Sequence, residues 1–295
     1  MELAAVAKLD HTNLAGMPLP KQKGDRTGAA TLRWATRVLV AMVWISAAIF
    51  GLYIVAFYAG VAFDGALERW NAALPRLYEP DTPFATIGIG AHFAAGAIVL
   101  VLGPVQLIGA VRGRAPWLHR WIGRLYVSAA LASGIGGLAF IAVKGTIGGT
   151  PMNVGFSLYG VLVVVAAVAT IWRARQRRFM EHRAWAIRLF ALAIGSWLYR
   201  MDYGFWRIIA NGAGHTATFD GPFDVAMAFF FYVPNLVVAE IFIRTPQLLR
   251  TRPAARISAA LTFCGASAFL AVGTYYFTAY HWGPQIMKRV FAILS

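Results

Sequence analysis

The sequence is dominated by long apolar runs with few or no charged side chains, each long enough to cross a lipid bilayer. A membrane-spanning helix needs about 20 mostly apolar residues. Such runs occupy residues 38–63, 84–111, 125–143, 145–172, 225–243 and 257–286. A further run, 185–206, is interrupted by Arg188, Arg200 and Asp202. We therefore predict an all-α polytopic membrane protein with seven transmembrane helices.

Composition supports this fold class and excludes several others. Hydrophobic residues make up 59% of the chain and charged residues only 13%, about half the charged content of a soluble domain. The single cysteine, Cys264, excludes an intrachain disulfide. The sequence lacks the motifs of serine or cysteine hydrolases, zinc proteases and nucleotide-binding folds.

The net charge of +15 is distributed as a membrane topology requires. Most Lys and Arg residues fall in alternate loops, which predicts a cytoplasmic N-terminus and an external C-terminus. Anionic lipid headgroups on the cytoplasmic side explain this charge, and no nucleic-acid partner is expected. Residues 1–36 read as a flexible cytoplasmic tail, and 37–295 as a transmembrane domain with a polar core bundle over 84–208. The outer loop 64–83 has the leucine and tryptophan spacing of a short interfacial helix.

Two His-Arg pairs at the cytoplasmic ends of the third and fifth predicted helices form an inner polar layer. Its members are His119, Arg120, Arg124, His182, Arg183, Arg188 and, from helix two, Gln106. Two facing imidazoles can bind heme iron, and arginines suit heme propionates or a quinone headgroup. We predict a cofactor site here, with His119 and His182 as ligands to the iron of a heme b. The same residues are compatible with plain juxtamembrane positive charge.

A second polar layer is expected in the outer half of the membrane. It comprises His92, Arg200, Asp202 and Tyr203. Because an unpaired charge in a bilayer is costly, Arg200 and Asp202 each need another partner or a water-filled cavity, and His92 is a candidate partner for Asp202. Alternatively, helix five ends earlier and these groups lie at the interface. We read His215 and His281 as solvent-facing or interfacial, and Glu240 as a side chain that either snorkels to the interface or pairs with Arg244.

An ordered series of motifs runs through helices two to five. It reads His92-x-x-x-Gly96, Gly103-Pro104-x-Gln106, Leu118-His119-Arg120-x-x-Gly123-Arg124-x-Tyr126 and His182-Arg183-x-Trp185-x-Ile187-Arg188. Over about residues 85–205 this series resembles a bacterial membrane family called domain of unknown function 2306. The resemblance implies a multi-pass protein of the bacterial inner membrane and carries no activity. Histidines on neighbouring helices are also similar to cytochrome b561-type carriers, although those proteins use two histidine pairs.

Three classes of function follow from these residues. The first, which we favour, is a redox protein with a heme or quinone site between helices three and five. The second is a proton-coupled transporter that uses the outer polar layer. The third is a non-catalytic subunit of a larger membrane complex, docked through the aromatic outer helices. Whether the chain is an enzyme is left open.

Overall fold

The computed structural model describes residues 23–244 and 253–294, and every regular element in that part of the chain is helical. In chain order the α-helices are α1 (Lys23–Tyr53), α2 (Gly60–Phe63), α3 (Pro83–Leu107), α4 (Gly109–Arg114), α5 (Pro116–Lys144), α6 (Gly149–Arg175), α7 (Phe179–Ala193), α8 (Gly195–Ala210), α9 (Pro222–Phe230), α10 (Val233–Arg244), α11 (Pro253–Phe277) and α12 (Gly283–Leu294). The all-α prediction is confirmed.

Six helical segments within the described ranges are long and apolar enough to cross a membrane. They match six of the seven predicted spans. The remaining one, 185–206, corresponds to two shorter helices, α7 and α8, of 15 and 16 residues. They meet at Ile194, where the backbone stays in the helical region (φ −77°, ψ −12°) and the Ile194 N–H still bonds to Phe190 O at 3.1 Å.

Different loops and charged residues lie at the two ends of the bundle. Loops 64–82, 145–148 and 211–221 lie together at what we call the loop end. There Lys144 Nζ is 3.1 Å from Glu79 Oε2, and Arg289 binds both carboxylate oxygens of Asp64. The opposite end, with connections 108–115 and 176–178, is here called the arginine end. The amphipathic loop 64–82 forms a 3-10 helix, Leu67–Ala72.

That loop packs against the bundle. Trp70 and Leu77 are buried, and the Trp70 indole N–H donates to Tyr58 O at 3.1 Å. The short helix predicted there is present as Leu67–Ala72, and its apolar face packs against protein; its interfacial position stays a prediction. The first helix, α1, begins at Lys23, which lies inside the predicted tail, 1–36. Residues 1–22 lie outside the described residues.

Helices α3 and α5 pack closely because glycines face each other across their contact. A Cβ atom on Gly136 would collide with Gly88 O, and one on Gly88 would lie 2.8 Å from Gly136 O. Small residues at such contacts allow close backbone approach in membrane proteins. On the opposite side, α1, α8 and α11 pack together. They are joined by Ser46, which accepts from Trp197 Nε1 at 2.9 Å and from Thr274 Oγ1 at 2.7 Å.

Candidate functional site

A cavity of about 680 Å³ lies inside the bundle and reaches the loop end. It extends from loop residues 72–77 and 212–219 inward to Val99 and Val163. Its walls come from α1, α3, α5, α6, α8 and α11. The predicted core bundle, 84–208, therefore does not enclose the site by itself. A cavity of this volume falls in the range of known small-molecule sites, about 300–1,000 Å³.

The charged side chains that line the cavity are all basic. They are Arg76, Lys144, Arg200 and Arg207, and no Asp or Glu belongs to the lining formed by the described residues. Glu79, behind the wall, accepts from Arg76 Nε at 2.9 Å and from Lys144 Nζ at 3.1 Å. These hydrogen bonds, that of Arg76 first, hold the pKa of the Glu79 carboxyl below its usual range. Arg76 and Lys144 are thus already compensated.

Arg200 and Arg207 have no acidic partner within the described part of the chain. They are seven residues apart on α8, which places them on one helix face. Arg207 is exposed at the loop end, and Arg200 is half-buried further in. One Arg200 nitrogen donates to Ser196 O at 2.8 Å, and its guanidinium lies 4.7 Å from the ring centre of Phe50. Because a guanidinium carries five N–H donors, Arg200 retains capacity for a ligand.

Aromatic rings form much of the remaining wall. Two of its stretches are π-helical, Ile54–Ala59 and Thr278–Trp282. They bring Tyr58 and Trp282 to the cavity, and the Tyr58 ring stacks on Phe93 with centres 3.9 Å apart. Short π-helical turns inside α-helices are frequent at functional sites. The cavity therefore has an apolar part, lined by flat aromatic rings, next to the Arg200 guanidinium.

His92 also lines the cavity, held against α5 by the close α3–α5 contact. Its Nδ1 lies 2.9 Å from Ser133 O and 3.1 Å from Ser133 Oγ. A Cβ on Gly137 would lie 3.2 Å from the same nitrogen, so the glycine leaves room for the ring. The predicted partnership of His92 with Asp202 is wrong: Nδ1 contacts Ser133 of α5, and no hydrogen bond or ion pair joins these two described residues.

Asp202 stands apart from the other members of the predicted outer layer. The cavity is lined by His92, Arg200 and Tyr203, but not by Asp202. Two residues beyond Arg200 on the same helix, Asp202 points to a different side. No hydrogen bond or ion pair to its carboxylate is found among the described residues.

Asp224, at the start of α9, is the buried carboxylate that sequence reasoning missed. Its side chain is fully buried, and Oδ1 accepts from Tyr203 OH at 2.6 Å and from His215 Nδ1 at 2.7 Å. Oδ2 accepts the backbone N–H groups of Thr216 at 3.0 Å and Gly221 at 3.1 Å. The one sequence signal is an acidic residue in the first turn after Gly-Pro, which also marks an ordinary helix start.

His215, expected from its loop to be solvent-facing or interfacial, is partly buried. It lines the cavity beside Tyr203, with ring centres 5.3 Å apart, and pairs with Asp224. Tyr199, one turn before Tyr203, donates its hydroxyl to the Tyr203 hydroxyl at 2.9 Å. A continuous set of hydrogen bonds therefore joins the cavity wall to a buried carboxylate.

The inner polar layer lies at the arginine end, and the cavity lining does not include it. His119 and His182 lie near enough to interact electrostatically. His182 Nδ1 is 2.9 Å from Thr170 O, whereas His119 Nδ1 is buried and has no hydrogen-bond partner. Gln106 Nε2 donates to His119 O at 3.3 Å.

The arginines of this layer are either paired or exposed. Arg188 pairs with Glu240, which also accepts from Arg244 Nε at 3.0 Å, as expected for Arg244. The Arg188 charge is thus compensated by protein. The other members are exposed at the bundle surface: Arg120, Arg124 and Arg183. Within the described ranges, no group of three or more His, Cys, Asp or Glu side chains is placed to hold a metal ion.

Comparison with known families assigns the chain. Residues 89–243, just over half of its length, match a family described as a predicted membrane protein (DUF2306). The chain belongs to this family. The DUF2306 region contains His92, Arg200, His215 and Asp224, whereas the α1 and α11 walls of the cavity lie outside it. No curated protein and no solved structure matches the chain, so the resemblance to cytochrome b561-type carriers gains no support.

Proposed function

We propose that the cavity binds a small amphipathic anion and that the protein acts as a carrier for it. The observation that supports this proposal is the charge of the lining among the described residues: it has no carboxylate, and two of its four basic side chains, Arg200 and Arg207, have no acidic partner. A cation buried in a membrane protein needs a counter-charge, because its desolvation is costly. An anionic ligand supplies that counter-charge to Arg200.

The side chains of the cavity wall restrict the class of ligand further. A guanidinium binds carboxylate, sulfonate or phosphate groups through paired N–H donors. The aromatic rings around Tyr58 and Trp282 favour an apolar body on the same molecule. Arg207, exposed above Arg200 on the same face of α8, suits a first contact for an anion that arrives from the loop end.

We also propose that α7 and α8 together form a seventh membrane span. Glu181 of α7 pairs with Arg173 at the arginine end, and Trp206 of α8 stacks on Phe223 at the loop end. Leu189, 0% exposed, lies within this segment. With seven crossings, the positive-inside rule puts the arginine end in the cytoplasm, against anionic lipid headgroups, and the loop end outside. In a bacterial inner membrane the anion would then enter from the external side.

Binding of simple probes tests the proposal. The protein is placed in lipid nanodiscs and titrated with octane-1-sulfonate, and with octan-1-ol as the uncharged counterpart. We expect saturable binding of the sulfonate only. Arg200→Gln should weaken it by about 30-fold or more, because it removes a partly buried charge contact. Arg183→Gln, which changes an exposed arginine outside the cavity, should leave it within about twofold.

Two outcomes would contradict the proposal. Equal affinity for the alcohol would show that the cavity takes apolar molecules without regard to charge. Undiminished sulfonate binding by Arg200→Gln would show that the anion binds elsewhere. Uptake of the sulfonate into proteoliposomes separates a carrier from a protein that only binds, since a carrier moves the probe across the bilayer.

A heme at the arginine end is the second candidate, and one observation favours it: the buried, unpartnered Nδ1 of His119 beside His182. The donor set fits, since His119 and His182 would hold the iron and the exposed Arg120, Arg124 and Arg183 would face propionates. A bound heme would supply one-electron chemistry. Purified protein with an absorption band near that of a b-type heme, lost in His119→Ala and His182→Ala, would support this role; colourless protein would contradict it.

A further inference from the structure

The Asp224 cluster has the arrangement of a proton-accepting site at the edge of the cavity. Asp224 receives four hydrogen bonds, and because both of its oxygens serve only as acceptors, it is set up to remain ionised. Because a carboxylate oxygen only accepts, the contact at 2.7 Å between His215 Nδ1 and Asp224 Oδ1 requires a proton on Nδ1. This leaves Nε2 as the basic atom.

The Nε2 atom of His215 is available to the cavity. His215 lines it with 23% of its side chain exposed, and no protein group in the described part of the chain bonds to Nε2. A carboxylate behind an imidazole both orients the ring and stabilises its protonated form. His215 is therefore accessible to water and has a fixed counter-charge in Asp224.

We infer that His215 takes up one proton when the anion binds, so that the cavity accepts an anion together with a proton. This inference rests on the proposed function and extends it. The proton passes from water at the loop end to His215 Nε2. The resulting imidazolium is balanced by Asp224, and the anion is balanced by Arg200. The added charges, one negative and one positive, cancel, which lowers the cost of holding them in a low-dielectric site.

Other ionisable groups near His215 do not take over this role. Tyr203 of α8 donates its proton to Asp224 and so is not a base. Asp220, in the same loop, accepts from Thr216 Oγ1 at 2.6 Å and Thr218 Oγ1 at 2.9 Å. These hydroxyl groups hold the pKa of the Asp220 carboxyl below its usual range, so it stays ionised. Arg207, on the same cavity wall, is cationic throughout.

Calorimetry measures the proton directly. Octane-1-sulfonate is titrated into wild-type protein at pH 7.5 in buffers of different ionisation enthalpy, because a sulfonate cannot itself take up the proton. We expect close to one proton taken up per probe bound. His215→Gln should still bind the sulfonate but take up almost none. Asp220→Asn, which changes a titratable side chain of the same loop outside the cavity lining, is the control and should keep the uptake.

The outcomes separate the two proposals. Binding without proton uptake in the wild type, or uptake unchanged in His215→Gln, overturns the inference and leaves anion binding intact. If the sulfonate does not bind at all, the proposed function fails. In that case nitrogen NMR of the histidine side chains decides on His215 alone, with His215→Gln for assignment. A neutral ring protonated on Nδ1 at pH 7.5 that gains its second proton at lower pH supports the inference; a ring protonated on Nε2 overturns it.

Discussion

Both ends of the bundle carry basic side chains, and the ends differ in whether a partly buried one, Arg200, is left without a carboxylate among the described residues. At the arginine end the basic groups are exposed or paired, as Arg188 is with Glu240 and Arg173 with Glu181. At the loop end, basic groups line a cavity from which carboxylates are absent in the described residues. Clustered arginines therefore indicate topology, whereas an arginine inside the bundle without a carboxylate indicates a site.

The largest difference between the two ends should appear when Asp224 is changed. Asp224→Asn replaces the carboxylate with an amide. In the wild type, hydrogen-bond donors face both Oδ1 and Oδ2; in the variant they would meet either the amide NH₂ group or its oxygen, which is a weaker acceptor. We expect the free energy of unfolding in detergent to fall by about 3 kcal/mol, because a buried, fully bonded charge is lost. Asp220→Asn, in the exposed part of the same loop, is the control and should leave the free energy of unfolding close to the wild-type value. Equal losses would contradict a special role for Asp224.

Glycine substitutions compare the cavity wall with the arginine end. Gly136→Ala pushes a methyl group into Gly88 O, a backbone atom that cannot move freely. We expect about 2 kcal/mol of destabilisation in thermal unfolding. Gly123→Ala meets only the end of the Gln106 side chain, at 3.3 Å, and replaces a helical glycine. It should be neutral or stabilising by up to about 1 kcal/mol. The reverse order would show that α3 and α5 separate readily.

The paired charges at the arginine end should matter less than the Asp224 cluster. Glu240→Gln removes the partner of both Arg188 and Arg244, whose contacts are partly open to solvent. A loss of about 1 kcal/mol in the free energy of unfolding is expected. Glu181→Gln, at a more exposed pair 3.1 Å from Arg173, should cost less still. A loss as large as that in Asp224→Asn would remove the contrast between the ends.

Acid should destabilise the loop end because it protonates the Glu79 carboxylate. Its pKa is lowered by Arg76 and Lys144, so the stabilisation is complete above the ordinary glutamate value of about 4.3. It is lost as the pH falls through the lowered value. Hydrogen exchange of residues 64–82, corrected for its intrinsic rate, should increase at acid pH in the wild type. In Glu79→Gln it should already be raised at neutral pH and change little.

The smallest effect is expected at Asp202. This residue was predicted to be part of the outer site, but it does not line the cavity. Asp202→Asn should change sulfonate affinity by no more than about twofold. A loss comparable to that of Arg200→Gln would mean that the carboxylate reaches the ligand after all, and that the cavity rearranges on binding.

The spans could be predicted because length and apolarity are local properties of the chain. Arg200 could be singled out because a charge inside an apolar run is costly wherever the run packs. The partners of these groups could not be predicted, because they depend on how helices face one another: Ser133 beside His92 follows from the α3–α5 contact. Asp224 and His215 were missed because a carboxylate at a helix start and a histidine in a loop have common structural roles.

The glycine contact between α3 and α5 constrains how the protein can move. With backbone against backbone and no side chains between, these two helices cannot slide or roll past each other without losing their contact. We expect α3 and α5 to move together as one rigid unit. Any widening that admits or releases a molecule must then take place on the other flank, where α1 and α11 meet through bulky rings and π-helical turns able to repack.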